Sequence, residues 1–230
     1  AGPSAAPTTG HALADVEGNP LSFGPDDNAL AEWSGFDDRR TGLTAALEHN
    51  FNDDWRVKAA YNRNQVKTQQ RFGVTEQPQP DGIAPLHLRG YRLNNLVDSL
   101  GLKLDGKYEL FGRQHELTAG FNGAWSDEKN PDWYMDWGNA TANVFTWNRQ
   151  IPGPDWDALY EFGGRTKTDQ YGLYTATRLH ATDKLSILAG ARATNWRSRT
   201  LDETGGATED LEENGVLTPY LSAIYDITAN

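Results

Sequence analysis

The chain has 230 residues, no cysteine and a formal net charge of −11 at pH 7. Because phosphate recognition needs a basic surface, this charge argues against nucleic acid as a partner. Without cysteine the chain forms neither disulfides nor thiolate zinc sites.

The composition combines many aromatic residues with a low mean hydropathy. Phe, Trp and Tyr make up 11% of the chain, with eight tryptophans, and no apolar run approaches the length of a transmembrane helix. Strands of membrane β-barrels need only about ten alternating residues each, and the interior and long loops of such barrels are polar. The composition is therefore compatible with a membrane barrel.

In chain order, residues 1–39 show no strand pattern, and their one local feature is a short turn around Asp26–Glu32. From residue 40 apolar and polar positions alternate, with Leu43, Ala45 and Leu47 on one face. A period of two predicts a strand with one wet face. A tight turn at residues 52–54 and a second alternating strand complete a predicted hairpin.

The same pattern recurs to the end of the chain, and no helix is predicted. Phe51 and Trp55 flank the first turn. Such a pair is typical of an aromatic girdle at a membrane interface, but also of a cross-strand pair in a soluble hairpin. Seven antiparallel strands are predicted, over residues 40–51, 55–72, 91–108, 115–126, 166–181, 185–200 and 215–228.

The predicted connections alternate strictly in length. Those near 52–54, 109–114 and 182–184 are short, whereas those at 73–90, 127–165 and 201–214 are long and rich in Pro, Gly, Asp, Asn and Trp. Outer-membrane barrels have short periplasmic turns and long extracellular loops. Residues 1–39 and the long aromatic loop 127–165 are therefore expected on the extracellular side.

Five segments carry a resemblance to a known family. In order along the chain they read RRTGLTAALEHNFNDDWRVKAAYNRNQ, YELFGRQHELTAGFNGAWSDEK, VFTWNRQIPGPDWD, TKTDQYGLYTATRLHATDKLSILAGARATNWRSRT and ENGVLTPYLSAIYDIT. Together they resemble the barrel strands of TonB-dependent siderophore receptors, in particular the ferripyoverdine and ferric-coprogen receptors. The order and spacing of the segments carry the resemblance, which covers about residues 20–230.

The resemblance implies an all-β fold, in which residues 1–230 form an antiparallel meander from a 22-stranded outer-membrane β-barrel. Such a receptor binds a ferric siderophore from outside and imports it with energy that TonB delivers through a plug domain. The expected partners are thus a ferric siderophore, outer-membrane lipid and TonB, with no cofactor beyond the transported ligand. Because the plug domain is absent from this sequence, the chain alone is not expected to transport.

The long loop 127–165 is the predicted ligand-binding site. Trp and Tyr offer flat faces for stacking and a polar edge for hydrogen bonds, and an arginine can pair with an acidic chelate. These side chains could instead pack the loop onto itself or lie at the lipid interface. The candidate residues are Trp133, Tyr134, Trp137, Trp147, Arg149, Trp156 and Tyr160.

A set of polar residues on the strands is predicted to line the interior of the barrel, as a hydrated wall or as contacts to plug and ligand. They are Arg56, Lys58, Asn62, Asn64, Tyr174, Arg178 and Arg192. The acidic residues between 202 and 213 do not match the spacing of a calcium loop and are expected to be a solvated surface.

Two other classes of function stay open. One is an independent soluble β domain that binds carbohydrate through its aromatic loop, which would need two facing sheets around an apolar core. The other is a glycoside hydrolase with paired carboxylates near the tryptophans. The sequence contains no HExxH or GxSxG motif, and GLKLDGK at 101–107 is followed by Tyr108 rather than the Ser or Thr of a phosphate-binding loop. The chain is therefore not predicted to be an enzyme.

Overall fold

The computed structural model describes residues 10–24 and 26–227, apart from the side chains of residues 130–133 and 135–139. Within these described residues, seven strands form one sheet, in which they follow each other in chain order, β1 to β7. The strands are β1 Gly35–Asn50, β2 Trp55–Thr75, β3 Ile83–Leu110, β4 Arg113–Asn143, β5 Arg165–His180, β6 Leu185–Leu201 and β7 Ala207–Tyr225.

Short turns close the hairpins at one end of the strands. After β1, the Asn52 side chain accepts hydrogen bonds from the backbone N–H groups of Asp54 and Trp55. Between β3 and β4 the turn has only two residues, Phe111 and Gly112, with φ of 53° and 70°. Two successive positive φ values are those of a type I′ turn, whose twist matches that of the flanking strands.

The last three strands show how alternation divides the sheet into two faces. Strands β5, β6 and β7 are antiparallel, and their register aligns Leu173 with Ala193 and Leu217. The adjacent row aligns Tyr174 with Arg192. Because neighbouring residues of a strand point to opposite faces, one face collects apolar side chains and the other collects polar ones.

The side chains of the apolar face are largely exposed. Leu173 is 65% exposed and Leu221 is 77% exposed, which a water-soluble protein would avoid over a contiguous patch of this kind. The polar face carries its own network. Lys58 pairs with Glu48 at 2.8 Å, Thr118 donates to Asp105 at 2.8 Å, and Arg192 donates to Asn122 at 2.8 Å. Several residues predicted to line the interior therefore lie among polar neighbours.

The chain divides into two compact units. The first comprises Ala1–Arg40, Val66–Asn94 and Lys129–Gly164, and the second comprises Thr41–Gln65, Asn95–Glu128 and Arg165–Asn230. The buried apolar core residues of the described chain all lie in the first unit, and they are Ala29, Leu30, Ala31, Ala84, Leu86, Val144 and Trp156. An apolar core therefore exists in the first unit, whereas the second unit is mainly sheet.

The number, order and antiparallel arrangement of the predicted strands are confirmed, and so are the three short turns. The long connections are shorter than predicted. Residues 35–39 belong to β1 rather than to a loop, and residues 127–143 continue β4, so that the aromatic loop itself covers only 144–164. The strands are longer than predicted because backbone hydrogen bonding continues as far as the neighbouring strand continues. Trp and Tyr also favour strands, even in segments where apolar and polar residues do not alternate.

A short helix, α1 at Trp156–Leu159, lies in this loop, and Val144–Thr146 form a single 3-10 turn. The Asp155 side chain caps α1 by accepting a hydrogen bond from the Ala158 N–H. Sequence periodicity does not predict a helix of one turn. No helix in the described part of the chain is long and apolar enough to span a membrane.

Candidate ligand-binding site

A cavity of about 770 Å³ lies on one face of the first unit. Its volume is within the range of small-molecule sites, roughly 300–1,000 Å³. We call it the strand pocket. Its lining residues are Phe36, Asp38, Arg40, Val66, Thr68, Gln70, Phe72, Arg89, Gly90, Tyr91, Leu93 and Tyr134.

Strand alternation assembles the strand pocket. Most of its residues come from every second position of β1, β2 and β3, for example Phe36, Asp38 and Arg40 on β1. Such positions lie on one face of a sheet. The pocket is therefore a property of three strands and does not depend on a single loop.

The strand pocket combines aromatic rings with charged groups. The Asp38 carboxylate accepts hydrogen bonds from Arg40 at 2.9 Å and from Thr68 at 3.0 Å. Arg89 lies 3.6 Å from Glu76, and its side chain remains 44% exposed. Rings supply flat faces for stacking, and accessible guanidinium groups pair with carboxylate, hydroxamate or catecholate oxygens. The arrangement is suited to a large, partly anionic ligand with aromatic parts.

The aromatic residues of the loop pack together beside these strands. Trp156 is only 7% exposed. Its ring makes edge contacts with Trp33 and Tyr134 at centroid distances of 5.3 and 6.2 Å, and Tyr160 lies 6.0 Å away. A Cβ at position 90 would lie 2.7 Å from the Trp156 ring. Glycine at this position is thus what lets the indole rest directly on β3.

Trp147 and Arg149 connect the loop by hydrogen bonds to the segment that precedes β1, which we call the N-terminal segment and which comprises the described residues 10–24 and 26–34. The indole N–H of Trp147 donates to the carbonyl of Asn28 at 3.0 Å, and Nε of Arg149 donates to the carbonyl of Leu30 at 3.0 Å. Glu32 N–H donates back to the Arg149 carbonyl. Arg149 has a positive φ of 68°, a conformation that persists only where surrounding contacts impose it.

The N-terminal segment is itself held by polar contacts. The buried Asp15 carboxylate accepts hydrogen bonds from the side chain and backbone of Asn19, and the first of these lowers the pKa of Asp15 most. His11 stacks on Phe23 at 4.4 Å, and burial lowers the pKa of His11 although Asp27 opposes the effect. The segment is therefore an ordered part of the first unit.

The structure separates the seven predicted ligand residues into three groups. Tyr134 lines the strand pocket. Trp147, Arg149, Trp156 and Tyr160 make the packing contacts of the loop. Trp133 and Trp137 belong to β4, and their side chains lie outside the described residues.

The sequence analysis missed the larger part of the strand pocket. Phe36 falls in the region assigned to the N-terminal loop, and Arg89 in the predicted loop 73–90. No alternation marked this part of β1, since Phe36 shares the polar face of the strand whereas Asp37 and Arg39 share the face of Leu43. Within the described residues, no group of three or more His, Asp or Glu side chains could hold a metal ion.

Comparison with known proteins decides the family. The profile of the family described as TonB dependent receptor-like, beta-barrel, matches residues 2–230. The chain belongs to the TonB-dependent receptor β-barrel family. The resemblance seen in the sequence is thereby confirmed, and the all-β fold is the one expected for this family.

Two curated relatives of this TonB-dependent receptor chain are pyoverdine receptors. The ferripyoverdine receptor of Pseudomonas aeruginosa is 28% identical over 219 residues, which cover 94% of this chain and 26% of the relative. The ferric-pyoverdine BN7/BN8 receptor of Pseudomonas putida is 30% identical over 214 residues, which cover 87% of this chain and 26% of the relative. The chain thus spans about a quarter of the length of these relatives.

A solved structure supports the same fold. The ferripyoverdine receptor of the outer membrane of Pseudomonas aeruginosa, bound to ferripyoverdine, superposes with a TM-score of 0.71 at 27% identity, covering 94% of this chain and 28% of that chain. The predicted location in the bacterial outer membrane is confirmed for this TonB-dependent receptor chain.

Proposed function

We propose that this chain is part of a receptor that binds a ferric siderophore and imports it with energy delivered through TonB. The observation that carries the proposal is the strand pocket, with its aromatic rings and accessible guanidinium groups, in a chain whose relatives are ferripyoverdine receptors. Binding and transport, not catalysis, is the activity proposed. TonB would act through a plug domain of the whole receptor, and the ferric siderophore is cargo rather than a cofactor.

The predicted ligand residues take two roles in this proposal. Tyr134 contacts the siderophore together with Phe36 and Tyr91, and the same role is proposed for Trp133 and Trp137. A role in holding the loop in place is proposed for Trp147, Arg149, Trp156 and Tyr160, since the contacts they make are with the protein itself. Loss of these residues would affect affinity through loop order.

The alternative of a soluble carbohydrate-binding domain has no support. It requires two facing sheets around an apolar core, whereas the described strands form a single sheet. The large apolar side chains of the second unit, such as Leu173 and Leu221, are exposed rather than buried between layers. An exposed apolar face is what lipid contact in a membrane barrel requires.

The test is ferric-siderophore affinity of the full-length receptor, measured by fluorescence quenching with a panel of ferric siderophores. We expect the double variant Phe36→Ala/Tyr91→Ala to weaken binding of the cognate siderophore by about ten- to a hundredfold, because each lost aromatic contact is worth roughly 1 kcal/mol beyond its buried area.

A matched control is Phe111→Ala, since Phe111 is 93% exposed in the β3–β4 turn. Its affinity should equal that of the wild type. Unchanged affinity in Phe36→Ala/Tyr91→Ala would remove the strand pocket from the binding site, and a receptor that binds no ferric siderophore of the panel would argue against the proposed function.

A further inference from the structure

The two arginines of the strand pocket differ in how closely an acidic side chain engages them. Nε of Arg40 donates to the Asp38 carboxylate at 2.9 Å, and the Thr68 hydroxyl donates to the same carboxylate at 3.0 Å. Arg89 instead lies 3.6 Å from Oε1 of Glu76, a distance too long for a hydrogen bond. Arg40 is therefore held in a close pair, whereas Arg89 has a loose partner that another anion can replace.

The position of Glu76 is fixed through its backbone. Glu76 directly follows β2, and its N–H donates to the Pro85 carbonyl. The side-chain amide of the next residue, Gln77, donates to the Asp15 carbonyl of the N-terminal segment at 2.7 Å. These bonds hold the segment after β2 in place, so that the Glu76 side chain reaches toward Arg89 from a fixed point of the backbone.

A buried histidine faces the same oxygen of Glu76. Nδ1 of His87 lies 3.2 Å from Oε1 of Glu76, and His87 is 6% exposed. His87 and Arg89 stand two positions apart on β3, so they lie on one face of the sheet and share one carboxylate oxygen. Because His87 stays beside Glu76 when Arg89 turns to another anion, the exchange does not leave the Glu76 carboxylate without a neighbour that can donate to it.

An anionic group of a ligand can form a better pair with Arg89 than Glu76 does. The Arg89 side chain lines the strand pocket and is 44% exposed, so a ligand in the pocket reaches its guanidinium group. A carboxylate that is free to align can place two oxygens against a guanidinium at about 2.8 Å, whereas Glu76 offers one oxygen at 3.6 Å. The exchange therefore replaces a weak pair by a strong one.

We propose that Glu76 is a specificity-determining residue of the strand pocket, which keeps free inorganic anions from Arg89 and yields the guanidinium group only to an anionic group of a bound siderophore. The rest of the siderophore holds this group beside Arg89, so that its effective concentration is far above that of a free anion. The substrate class is therefore a ferric siderophore with an accessible carboxylate or similar anionic group. The inference rests on the proposed function, because it takes the strand pocket as the siderophore site.

The experiment measures siderophore affinity of the full-length receptor by fluorescence quenching, in the absence and presence of inorganic phosphate. The probe is the member of the ferric-siderophore panel that the wild type binds most tightly. We expect Glu76→Gln to bind this siderophore about two- to fivefold more tightly than the wild type, because the exposed ion pair that binding must break is weak. Phosphate should weaken siderophore binding by Glu76→Gln several-fold and should leave binding by the wild type nearly unchanged.

Two further variants complete the experiment. Arg89→Gln should weaken siderophore binding about ten- to a hundredfold, because charge-assisted hydrogen bonds are lost, and adding Glu76→Gln to it should bring no gain, since both changes act on one ion pair. The matched control is Glu109→Gln, the same substitution at an exposed position near the other end of β3. It should behave as the wild type with and without phosphate. A merely structural role of Glu76 would lower the affinity, so that tighter binding separates the two roles.

Three results would each overturn the inference and leave the proposed function standing: unchanged or weaker siderophore binding by Glu76→Gln, equal phosphate sensitivity of this variant and the wild type, or a preferred siderophore without an anionic group. A wild type that binds no ferric siderophore of the panel would count against the proposed function. The pairing of Glu76 with Arg89 is then tested by the rate at which phenylglyoxal modifies Arg89, followed by peptide mass spectrometry. This rate should be higher in Glu76→Gln than in the wild type, and equal rates would overturn the inference as well.

Discussion

At the scale of single residues, Trp156 shows how a side chain typical of ligand recognition can act as a core residue. Its ring is buried among Trp33, Tyr134 and Tyr160, and α1 begins with it. Trp147 is likewise engaged within the protein, because the single N–H donor of its side chain bonds to the Asn28 carbonyl. Residue type alone does not distinguish these roles, because stacking on a ligand and stacking on a neighbour require the same ring.

Trp156→Ala in the full-length receptor should loosen the loop 144–164, at a local cost of about 3–5 kcal/mol for an excised buried Trp. The hydrogen-exchange rates of the loop amides should rise by several orders of magnitude, in proportion to this loss of local stability. Trp147→Phe keeps the ring but removes the hydrogen bond to Asn28, so we expect a smaller loss of about 1 kcal/mol.

The control for this prediction is Phe162→Ala, because Phe162 is a partly exposed aromatic residue of the same loop. Its exchange protection should change little. If Trp156→Ala leaves exchange as in the wild type but abolishes siderophore binding, Trp156 contacts the ligand directly and its packing role is wrong.

At the scale of elements, the β3–β4 turn combines the geometry of a type I′ hairpin with an unusual residue. Phe111 adopts φ of 53°, in the left-handed region where Asn and Gly are favoured and a bulky residue is strained by about 1–2 kcal/mol. Its ring is almost fully exposed, so the strain is not offset by packing within the described chain.

Phe111→Asn should therefore stabilise the hairpin by up to about 1 kcal/mol, whereas Gly112→Val should destabilise it by at least as much, because Val is still less tolerant of φ near 70°. The urea midpoint at constant detergent measures both. Lys184→Asn, in a short turn without positive φ, serves as the control and should remain within about 0.5 kcal/mol of the wild type. A lower midpoint in Phe111→Asn would show that the aromatic ring has a stabilising partner.

At the scale of the whole chain, the second unit exposes a large amount of apolar surface and β1 and β7 stand at the ends of the sheet order. Every residue of β7 is exposed. Unpaired edges and an open apolar face both promote self-association in water. In the family barrel, lipid covers such a face and neighbouring strands pair with such edges.

The isolated chain should consequently form oligomers or aggregates in plain buffer and should become smaller and more uniform in a mild detergent. Light scattering coupled to size-exclusion chromatography, with and without detergent, measures the difference, and circular dichroism verifies that strand content is retained. A detergent-free monomer with a cooperative thermal transition would contradict the assignment of the apolar face to lipid.

The amino-acid sequence by itself determined the seven strands, their order, the short turns and the family. These features are local, because alternation and turn residues are properties of neighbouring positions along one strand or hairpin. The family was recognised from the order of five segments, and this order extends over several strands.

Only the tertiary structure decided where the strands stop and which side chains meet. The strand pocket joins Phe36 to Tyr91 and Tyr134, and the loop residue Trp147 donates a hydrogen bond to Asn28, 119 positions away. Such contacts follow from strand register and from the path of the loop, which depend on the free energy of packing the whole first unit. Composition and spacing show which aromatic and charged residues the chain contains, whereas the fold decides which of them come together in a site.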